Sequence, residues 1–385
     1  MEKVEEHEES QILANKFLES IKSAKHRLQR NQHERLFTVD YYKEACEVLL
    51  SIHDAEILTE VKKAIDCSGE SLLDFIFDTL SSEYRIKLLS HIKAINNKYN
   101  SDYPPVLLTD VDDTLFASLI DRSFGMHQPY PGVSHLYHYI TTKKKISFVA
   151  VLSARPKLMR SKTRGQLENG ALKHTKFSVL DGEVIDLPSA IKGTSLDIFT
   201  AILGLPATDR KECYMKMANT KFLNYSRYCL IYPEMKFIFF GDSGQGDVDT
   251  ALLMCTNPQT TCSFIHDLRP GGFTGKSLLE EADRSLLEKQ NIFVFDHHCD
   301  ILSNKQMKKF LTADEINLIF DKVEEEWKDE HELRNHWTEL KKSAHSREDK
   351  EDIAGPDDQK HHDGESEKST KKHTSIIKTK KCVIL

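Results

Sequence analysis

Three carboxylates fall within four positions of the segment LLTDVDDTLF, directly after an apolar run: Asp110, Asp112 and Asp113. Like charges at this spacing repel one another, so each carboxylate needs water or a cation beside it. The segment is therefore either a solvated acidic turn or part of a site that binds a metal ion. In the second case one carboxylate can act as a nucleophile while its neighbour acts as an acid and a base.

Other polar side chains follow later apolar runs in the same way. Ser153 ends the run VAVLS, and Asp242 and Asp247 lie in the glycine-rich segment GDSGQGD. The serine hydroxyl could hold a phosphoryl oxygen, and the glycines allow the backbone to approach a ligand closely. Two further carboxylates beside Asp110 would leave an excess of negative charge unless a hard cation were present. The combination predicts Mg²⁺, which prefers oxygen ligands and shares them with phosphate groups.

A lysine lies between these two segments. Its ammonium group could balance the charge of a nucleophilic carboxylate and that of a phosphate. We place Lys221 in this role because of its spacing from Tyr232-Pro233, and Lys216 is the alternative. Alternation along the acidic segment turns Asp113 away from the other two acids, so we expect Asp113 to be the least suited of the three to chemistry.

The type of secondary structure that the sequence predicts changes along the chain. Residues 1–102 place apolar side chains at helical spacing, and Pro104-Pro105 ends this helical region. Residues 103–302 contain short apolar runs separated by amphipathic segments, which is typical of an α/β domain with a parallel sheet. The runs are PPVLLTD, ISFVAVLSA, KFIFFGD, TCSFIHD and NIFVFDH. Because ligands bind at the carboxyl ends of the strands in such sheets, the polar residues should meet at one edge.

The C-terminal part has a different composition. Residues 303–345 return to helical spacing, whereas residues 346–385 are rich in charge and predict a disordered tail. The chain ends in Cys-Val-Ile-Leu, the pattern for geranylgeranylation of Cys382. The lysines before it are Lys371, Lys372, Lys378, Lys380 and Lys381. A prenyl group with a polybasic segment predicts peripheral attachment to a cytoplasmic membrane surface, and the alternative is a chance apolar terminus.

Composition narrows the function classes further. The formal net charge is −7, and no basic stripe crosses the middle of the chain, which argues against nucleic-acid binding. The eight cysteines are scattered without a CxxC pair, and the chain opens without a signal peptide. Both features predict a reduced, intracellular compartment. No apolar run reaches the 18 residues of a membrane span.

Four pieces in this order, DxDxT, a serine at a strand end, a lysine and GDxxxxD, resemble the haloacid dehalogenase-like (HAD) phosphatase superfamily. Finer details are similar to the catalytic domain of the phosphatidate phosphatase family typified by the yeast actin-patch-associated enzyme. These details are DVDDT, the segment Pro131-Gly132-Val133, YPEMKFIFFGDSGQGD and FIHDLRP. The resemblance covers roughly residues 104–300. It implies a HAD-like Rossmannoid parallel sheet with flanking helices.

The resemblance also implies roles for the two acids of the first motif. Asp110 would be the nucleophile that forms an aspartyl-phosphate, and it would ligate Mg²⁺. Asp112 would protonate the leaving group and then activate water, while its backbone carbonyl would ligate the metal. From its residue type, Thr114 can hydrogen-bond within the turn and fix it, and we place it among the phosphate-binding residues.

The later motifs complete the implied site. Ser153 and Lys221 would hold the phosphoryl group. Asp242 would complete the magnesium site, and Asp247 would support it directly or through another group. The chain departs from the family at Ser153-Ala154-Arg155-Pro156, where Ser-Asn-Ser-Pro is usual. Arg155 adds a bidentate binder of phosphate or carboxylate near the site, which leaves head-group recognition open.

The expected function is that of a magnesium-dependent phosphatase acting on a phospholipid such as phosphatidate at a membrane surface. The short segment between the first two motifs leaves little room for a large cap, and this suits a large or membrane-embedded substrate. One alternative is a membrane-tethered phosphoprotein phosphatase. Another is a catalytically weak membrane adaptor that binds a protein partner through its N-terminal helices. Those helices match nothing in the family, so they either bind a partner or cover the sheet.

Two smaller features have alternative interpretations. DHHCD at 296–300 could suggest zinc, but no second ligand cluster has suitable spacing, so we favour an ordinary strand end. Met126, His127 and Tyr130 could form a substrate loop, or they could simply pack.

Overall fold

The computed structural model describes most of the chain up to residue 326. The described residues are 2–30, 42–96, 103–118, 120–121, 124–155, 157, 160–173, 175–181, 207–270 and 276–326. The predicted tail with Cys382, and residues 182–206, lie outside them. No helix in the described ranges is both long and apolar enough to cross a membrane.

The centre of the fold is a six-stranded sheet whose neighbouring strands are all parallel. The strands are Val106–Thr109 (β1), Val149–Ser153 (β2), Phe177–Asp181 (β3), Phe237–Asp242 (β4), Thr260–His266 (β5) and Ile292–Phe295 (β6). Their spatial order is β3-β2-β1-β4-β5-β6, which is consistent with a Rossmann-like fold. The predicted α/β class with a parallel sheet is confirmed, and each of the five apolar runs contains one strand. Strand β3 is an addition that the sequence analysis missed.

Helices flank the sheet. They are Glu2–Arg30 (α1), Lys43–Leu50 (α2), Ala55–Cys67 (α3), Leu72–Asp74 (α4), Ser82–Asn96 (α5), Val133–Thr142 (α6), Arg160–Glu168 (α7), Ala207–Ile231 (α8), Asp247–Met254 (α9), Glu281–Glu288 (α10) and Ala313–Glu326 (α11). Helix α4 continues into a π-helical turn, Phe75–Thr79. The side chain of Asp54 caps α3 by accepting a hydrogen bond from the backbone N–H of Ile57 at 2.9 Å, which satisfies a free donor of its first turn.

The N-terminal helices cover one face of the sheet. Alternate residues of β1, Val106 and Leu108, lie in one buried apolar core with Phe17 and Leu58. One core therefore spans the boundary predicted at residue 103, and the described residues belong to one compact unit. These helices therefore cover the sheet, and a partner-binding role for them stays a prediction.

The opposite face of β1 is covered by α6. The hydroxyl of Tyr137 donates a hydrogen bond to Thr109 Oγ1 at 2.9 Å, and its ring packs edge-on against Phe240. Because both faces of β1 are covered, its residues are apolar without alternation, as the sequence pattern predicted.

A buried ion pair joins α3 to the end of α8. The side chains of Lys62 and Glu234 are 0% and 1% exposed, and their charged atoms lie 2.8 Å apart. Lys62 Nζ also donates to the carbonyl of Ile231 at 2.8 Å, and Thr59 donates to the same carboxylate oxygen at 2.8 Å. Both donors reach Glu234 Oε1, whereas its Oε2 is buried with no hydrogen-bond partner. Buried charges require an opposite charge nearby because each has lost its hydration.

A buried carboxylate lies beside this pair. Asp66 Oδ2 accepts hydrogen bonds from the hydroxyls of Tyr228 and Tyr232 at 2.8 and 2.9 Å, and Oδ1 accepts from the backbone N–H of Leu72 at 2.8 Å. Burial raises the pKa of Asp66 to about 6 despite these donors. Both polar groups hold the N-terminal helices on α8, the helix that carries Lys221.

The chain reverses its direction of winding between β1 and β4. Strands β2 and β3 lie on one side of β1, whereas β4, β5 and β6 follow on the other. In open α/β sheets, ligands bind in the crevice beyond the carboxyl ends at such a reversal.

Removing the buried lysine should destabilise the fold strongly. We expect Lys62→Ala to lower the free energy of unfolding by about 3–5 kcal/mol, because Glu234 would remain buried without a cation. The matched control is Lys25→Ala, which breaks an ion pair with Glu70 whose side chains are 51% and 39% exposed and should cost at most about 1 kcal/mol. Urea unfolding followed by circular dichroism measures both, and equal small losses would contradict the prediction.

The raised pKa of Asp66 predicts a pH effect on stability. A carboxyl whose pKa is about 6 when folded and near 3.8 when unfolded stabilises the fold in its protonated form. That contribution is complete below the unfolded pKa and is lost as the pH rises through about 6. Relative to Asp66→Asn, the wild type should lose ~3 kcal/mol of unfolding free energy between about pH 4 and pH 7. Urea titrations of both proteins across this range check the difference, and parallel pH curves would refute it.

Candidate active site

Asp110 lies directly beyond β1, at the reversal point of the sheet. Its backbone N–H donates to the carbonyl of Phe240 at 2.9 Å and so extends the pairing of β1 with β4. This fixes Asp110 beside the carboxyl end of β4, where Asp242 is the last residue. Lys221 Nζ from α8 lies 2.9 Å from Asp110 Oδ1.

Three carboxylates converge at this point. Asp110, Asp242 and Asp247 are buried, and one oxygen of each lies within 4.8 Å of the others. Asp242 Oδ1 accepts the backbone N–H of Gly244 at 2.6 Å, whereas its Oδ2 is buried with no hydrogen-bond partner. Three hard oxygens, one of them without a donor, form a set that could hold Mg²⁺. It is the one such group of His, Cys, Asp or Glu among the residues that the structure describes.

The electrostatics of the cluster favour a cation. Burial raises the pKa of Asp110 to about 7, although Lys221 opposes the shift. Burial, and then the charges of Asp247 and Asp110, raise the pKa of Asp242 well above its ordinary value. Burial alone would lower the pKa of Lys221, but Asp110 and Asp247 raise it, so the amine stays charged. With all three carboxyl groups ionised, one ammonium would face three negative charges, and the raised pKa values reflect this imbalance. A bound cation would favour the ionised forms.

The structure separates the two candidate lysines. Lys221 is 1% exposed and contacts both Asp110 and Asp247. Lys216 lies one turn and a half earlier on α8, where its amine is 2.9 Å from Glu212 on the same helix. Lys221 is therefore the lysine at the carboxylate cluster.

Asp112 is held apart from the three carboxylates by Arg155. Arg155 Nε donates to Asp112 Oδ2 at 2.8 Å and Nη2 donates to Oδ1 at 2.6 Å. Burial would raise the pKa of Asp112, but the charge of Arg155 brings it below its usual value. The remaining nitrogen, Nη1, donates to Thr163 Oγ1 at 3.1 Å and lies 3.3 Å from Gln166 Oε1.

This arrangement changes the interpretation of Arg155. The sequence analysis expected a bidentate binder of phosphate or carboxylate, and the group that Nε and Nη2 bind is the carboxylate of Asp112. Two buried opposite charges pair in this way because each would otherwise lose its hydration without compensation. A ligand phosphate would have to compete with Asp112 for the guanidinium.

The two hydroxyls differ in their contacts. Ser153 ends β2 and is 2% exposed, and its Oγ accepts the backbone N–H of Arg155 at 3.1 Å. The hydroxyl of Thr114 is buried with no hydrogen-bond partner, so the expectation that it fixes the turn is wrong. The turn is held by another residue.

That residue is Asp113. Its carboxylate accepts the backbone N–H groups of Ser118 at 2.8 Å and Ile120 at 2.9 Å, and the amide of Gln245 at 3.0 Å. Its own backbone is left-handed, with φ of 55°. Asp113 thereby joins the segment after β1 to the glycine-rich segment after β4. Sequence reasoning placed Asp113 away from the metal cluster but missed this role. The only available signal was that Asp tolerates a left-handed backbone better than most residues.

A buried histidine supports the same turn. His266, the last residue of β5, has Nδ1 2.9 Å from the carbonyl of Asp113 and its ring centroid 4.6 Å from that of Tyr130. Burial lowers its pKa. The sequence analysis did not select His266, although its place at a strand end in FIHD was the available signal.

Two glycines allow the carboxylates to approach. A Cβ at Gly241 would lie 2.7 Å from Asp247 Oδ2. Gly246 precedes α9 with φ of 88°, and a Cβ there would lie 2.5 Å from the carbonyl oxygen of Tyr214. The glycine-rich segment is thus required by close contacts and by a left-handed turn.

The smaller features are mostly structural. Asp300 in DHHCD accepts the backbone N–H groups of Asp296 and His297 at 3.1 and 2.8 Å, and the segment contributes to no metal-ligand group among the described side chains. Tyr130 is buried and donates to Asp121 at 2.9 Å, whereas Met126 is 55% exposed. In the predicted substrate loop, Tyr130 packs and Met126 faces solvent.

Comparison with known proteins added no relative. No family model matches the chain, and neither the curated proteins nor the solved structures contain a match to it.

The carboxylate cluster predicts opposite effects of one substitution with and without metal. Asp242→Asn keeps an oxygen for Gly244 but removes a carboxyl group whose pKa is raised on folding, so at neutral pH the metal-free variant should be about 1–2 kcal/mol more stable than the metal-free wild type. Mg²⁺ at about 100 times its Kd should stabilise the wild type by about 2.7 kcal/mol and the variant much less.

Urea unfolding with Mg²⁺ or with a chelator measures both effects. Asp249→Asn is the control, because Asp249 lies in the first turn of α9 but outside the cluster. It should respond to Mg²⁺ as the wild type does. An Asp242→Asn protein that gains as much from Mg²⁺ as the wild type would refute the assignment of the site.

Proposed function

We propose that the chain is a magnesium-dependent phosphatase of the HAD-like type that forms an aspartyl-phosphate on Asp110. The observation that carries the proposal is the position of Asp110, which lies at the sheet reversal beside the Lys221 ammonium and two further buried carboxylates. The resemblance of the four motifs to the HAD-like phosphatase superfamily supports the same reaction.

Asp110, Asp242 and Asp247 would hold Mg²⁺, which would neutralise charge on the phosphoryl group. A carboxylate oxygen of Asp110 attacks phosphorus as the bond from phosphorus to the ester oxygen breaks. Lys221 balances the charge of the nucleophile and of the phosphoryl oxygens, and Ser153 donates a hydrogen bond to one of them. Water then attacks phosphorus, the aspartyl ester breaks, and inorganic phosphate leaves.

Asp112 moves the proton in both steps. It gives a proton to the leaving alkoxide and then takes one from the attacking water. While it is paired with Arg155 it is ionised and both of its oxygens are occupied. Proton donation therefore requires Asp112 to part from Arg155 and to gain a proton. The negative charge of an incoming phosphate could draw the guanidinium away and so promote both changes.

The proposed substrate is a phospholipid such as phosphatidate. The details shared with the phosphatidate phosphatase family support this choice, and so does the predicted geranylgeranyl anchor at Cys382 with its lysines on a cytoplasmic membrane surface. The same anchor would serve a phosphoprotein phosphatase at a membrane.

The test is release of phosphate from vesicles containing phosphatidate and from phosphopeptides, with and without Mg²⁺. We expect release from vesicles with Mg²⁺, and a loss of about 1000-fold or more in Asp110→Asn, because the nucleophile is removed. Asp249→Asn is the control that removes a nearby carboxylate outside the cluster and should retain activity.

The outcomes separate the alternatives. Release from peptides alone would overturn the lipid assignment. Unchanged activity in Asp110→Asn would overturn the nucleophile. No release from any substrate would overturn the phosphatase and leave the adaptor, whose partner would bind through the N-terminal helices.

A further inference from the structure

A charged cluster connects the N-terminal helices to the segment that follows Ser153. Lys157 Nζ donates to Asp74 Oδ1 at 2.7 Å and also contacts Asp78. Arg160 Nη2, at the start of α7, lies 2.5 Å from Asp74 Oδ2. The two carboxylates come from α4 and the π-helical turn after it, more than 75 positions earlier in the chain.

The two carboxylates share one helical face. Asp74 and Asp78 are four positions apart, which places their side chains side by side on a helix. Together they hold one lysine, and Asp74 holds Arg160 as well. Burial would raise the pKa of Asp74, but Lys157 and Arg160 bring it below its usual value, so Asp74 stays charged at neutral pH.

Arg160 extends the cluster to a third element. Its Nε lies 3.0 Å from each oxygen of Asp181, the last residue of β3, whose side chain is 2% exposed. The carbonyl of Asp181 accepts a hydrogen bond from Asn224 Nδ2 at 3.4 Å, and Asn224 lies three residues after Lys221 on α8. The cluster thus reaches the elements that carry Ser153 and Lys221.

The described residues at the two ends of the stretch 153–160 are therefore both held. At one end β2 places Ser153, and Arg155 is bound to Asp112. At the other end Lys157 and Arg160 are bound to the N-terminal helices.

We infer that Asp74 and Asp78 are positioning residues for the phosphate-binding segment, which they hold through Lys157 and Arg160. The N-terminal helical region is then part of the catalytic apparatus, and its function is more than covering the sheet. The inference rests on the proposed phosphatase function for its kinetic consequence but not for its structural one.

The expected losses of stability and of catalytic rate differ in size, and this difference separates a positioning role from support of the fold. Asp78 and Lys157 are 39% and 37% exposed, so their pairing adds at most about 1 kcal/mol to stability. A displacement of about 1 Å at a reacting group, by contrast, costs on the order of 100-fold in rate. Loss of Asp78 should therefore change kinetics far more than folding. Asp74 is 21% exposed and pairs with both Lys157 and Arg160, so its loss costs more stability, and the exchange measurement below separates the two effects.

The kinetic test uses the full chain with Asp74→Asn and Asp78→Asn combined. We expect kcat/KM to fall about 10- to 100-fold. Glu70→Gln is the matched control, because Glu70 has the same 39% exposure as Asp78 and pairs with Lys25 inside the N-terminal region. It should leave kcat/KM unchanged. The conservative pair Asp74→Glu and Asp78→Glu keeps both charges and should recover most of the loss.

A second measurement does not depend on activity. Amide hydrogen exchange in peptides spanning residues 149–160 should be faster in the double asparagine variant and unchanged in Glu70→Gln. Exchange at the wild-type rate would overturn the inference, whatever the activity. An inactive wild type with faster exchange in the variant would overturn the proposed function and leave the positioning role supported. Equal losses of kcat/KM in the control and the double variant would also overturn the inference.

Discussion

The site depends on the burial of three carboxylates against a single ammonium group. Asp110, Asp242 and Asp247 repel one another within 4.8 Å, and little water reaches them. Each is tolerated because fixed donors reach it: Lys221 for Asp110 and Asp247, and the backbone N–H of Gly244 for Asp242. The donors come from α8 and from the glycine-rich segment, so the geometry of those elements follows from the requirement to hold these charges.

The backbone directs the three carboxylates of the DVDD segment to three different environments. Asp110 continues the strand and enters the cluster. Asp112 pairs with Arg155. The carboxylate of Asp113 accepts hydrogen bonds from two backbone N–H groups and from Gln245. The three residues are chemically identical, but their environments give Asp110 a raised pKa and Asp112 a lowered one. Neighbouring carboxylates whose pKa values are driven apart are suited to different steps of one reaction.

The N-terminal helices also bear on the site. Lys62 and Asp66 place buried polar groups at the contact between α3 and α8. A purely apolar contact there would allow the two helices to shift along one another. Such polar groups can be satisfied in one register only, since any shift leaves a charge without its partner. The same contact sets the position of α8, and with it that of Lys221.

Sequence patterns by themselves determined the elements and the order of the motifs. Apolar runs without alternation marked five strands of a parallel sheet, because burial on both faces is a local property, whereas β3 escaped because FSVLD places Ser178 inside a short run. Only the tertiary structure decided between Lys216 and Lys221. It also paired Arg155 with Asp112 and Asp74 with Arg160, and it left the hydroxyl of Thr114 without a hydrogen-bond partner. These ion pairs join residues tens of positions apart. Which of them form depends on how the strands and helices pack against one another, and the spacing of residues along the chain does not specify that packing.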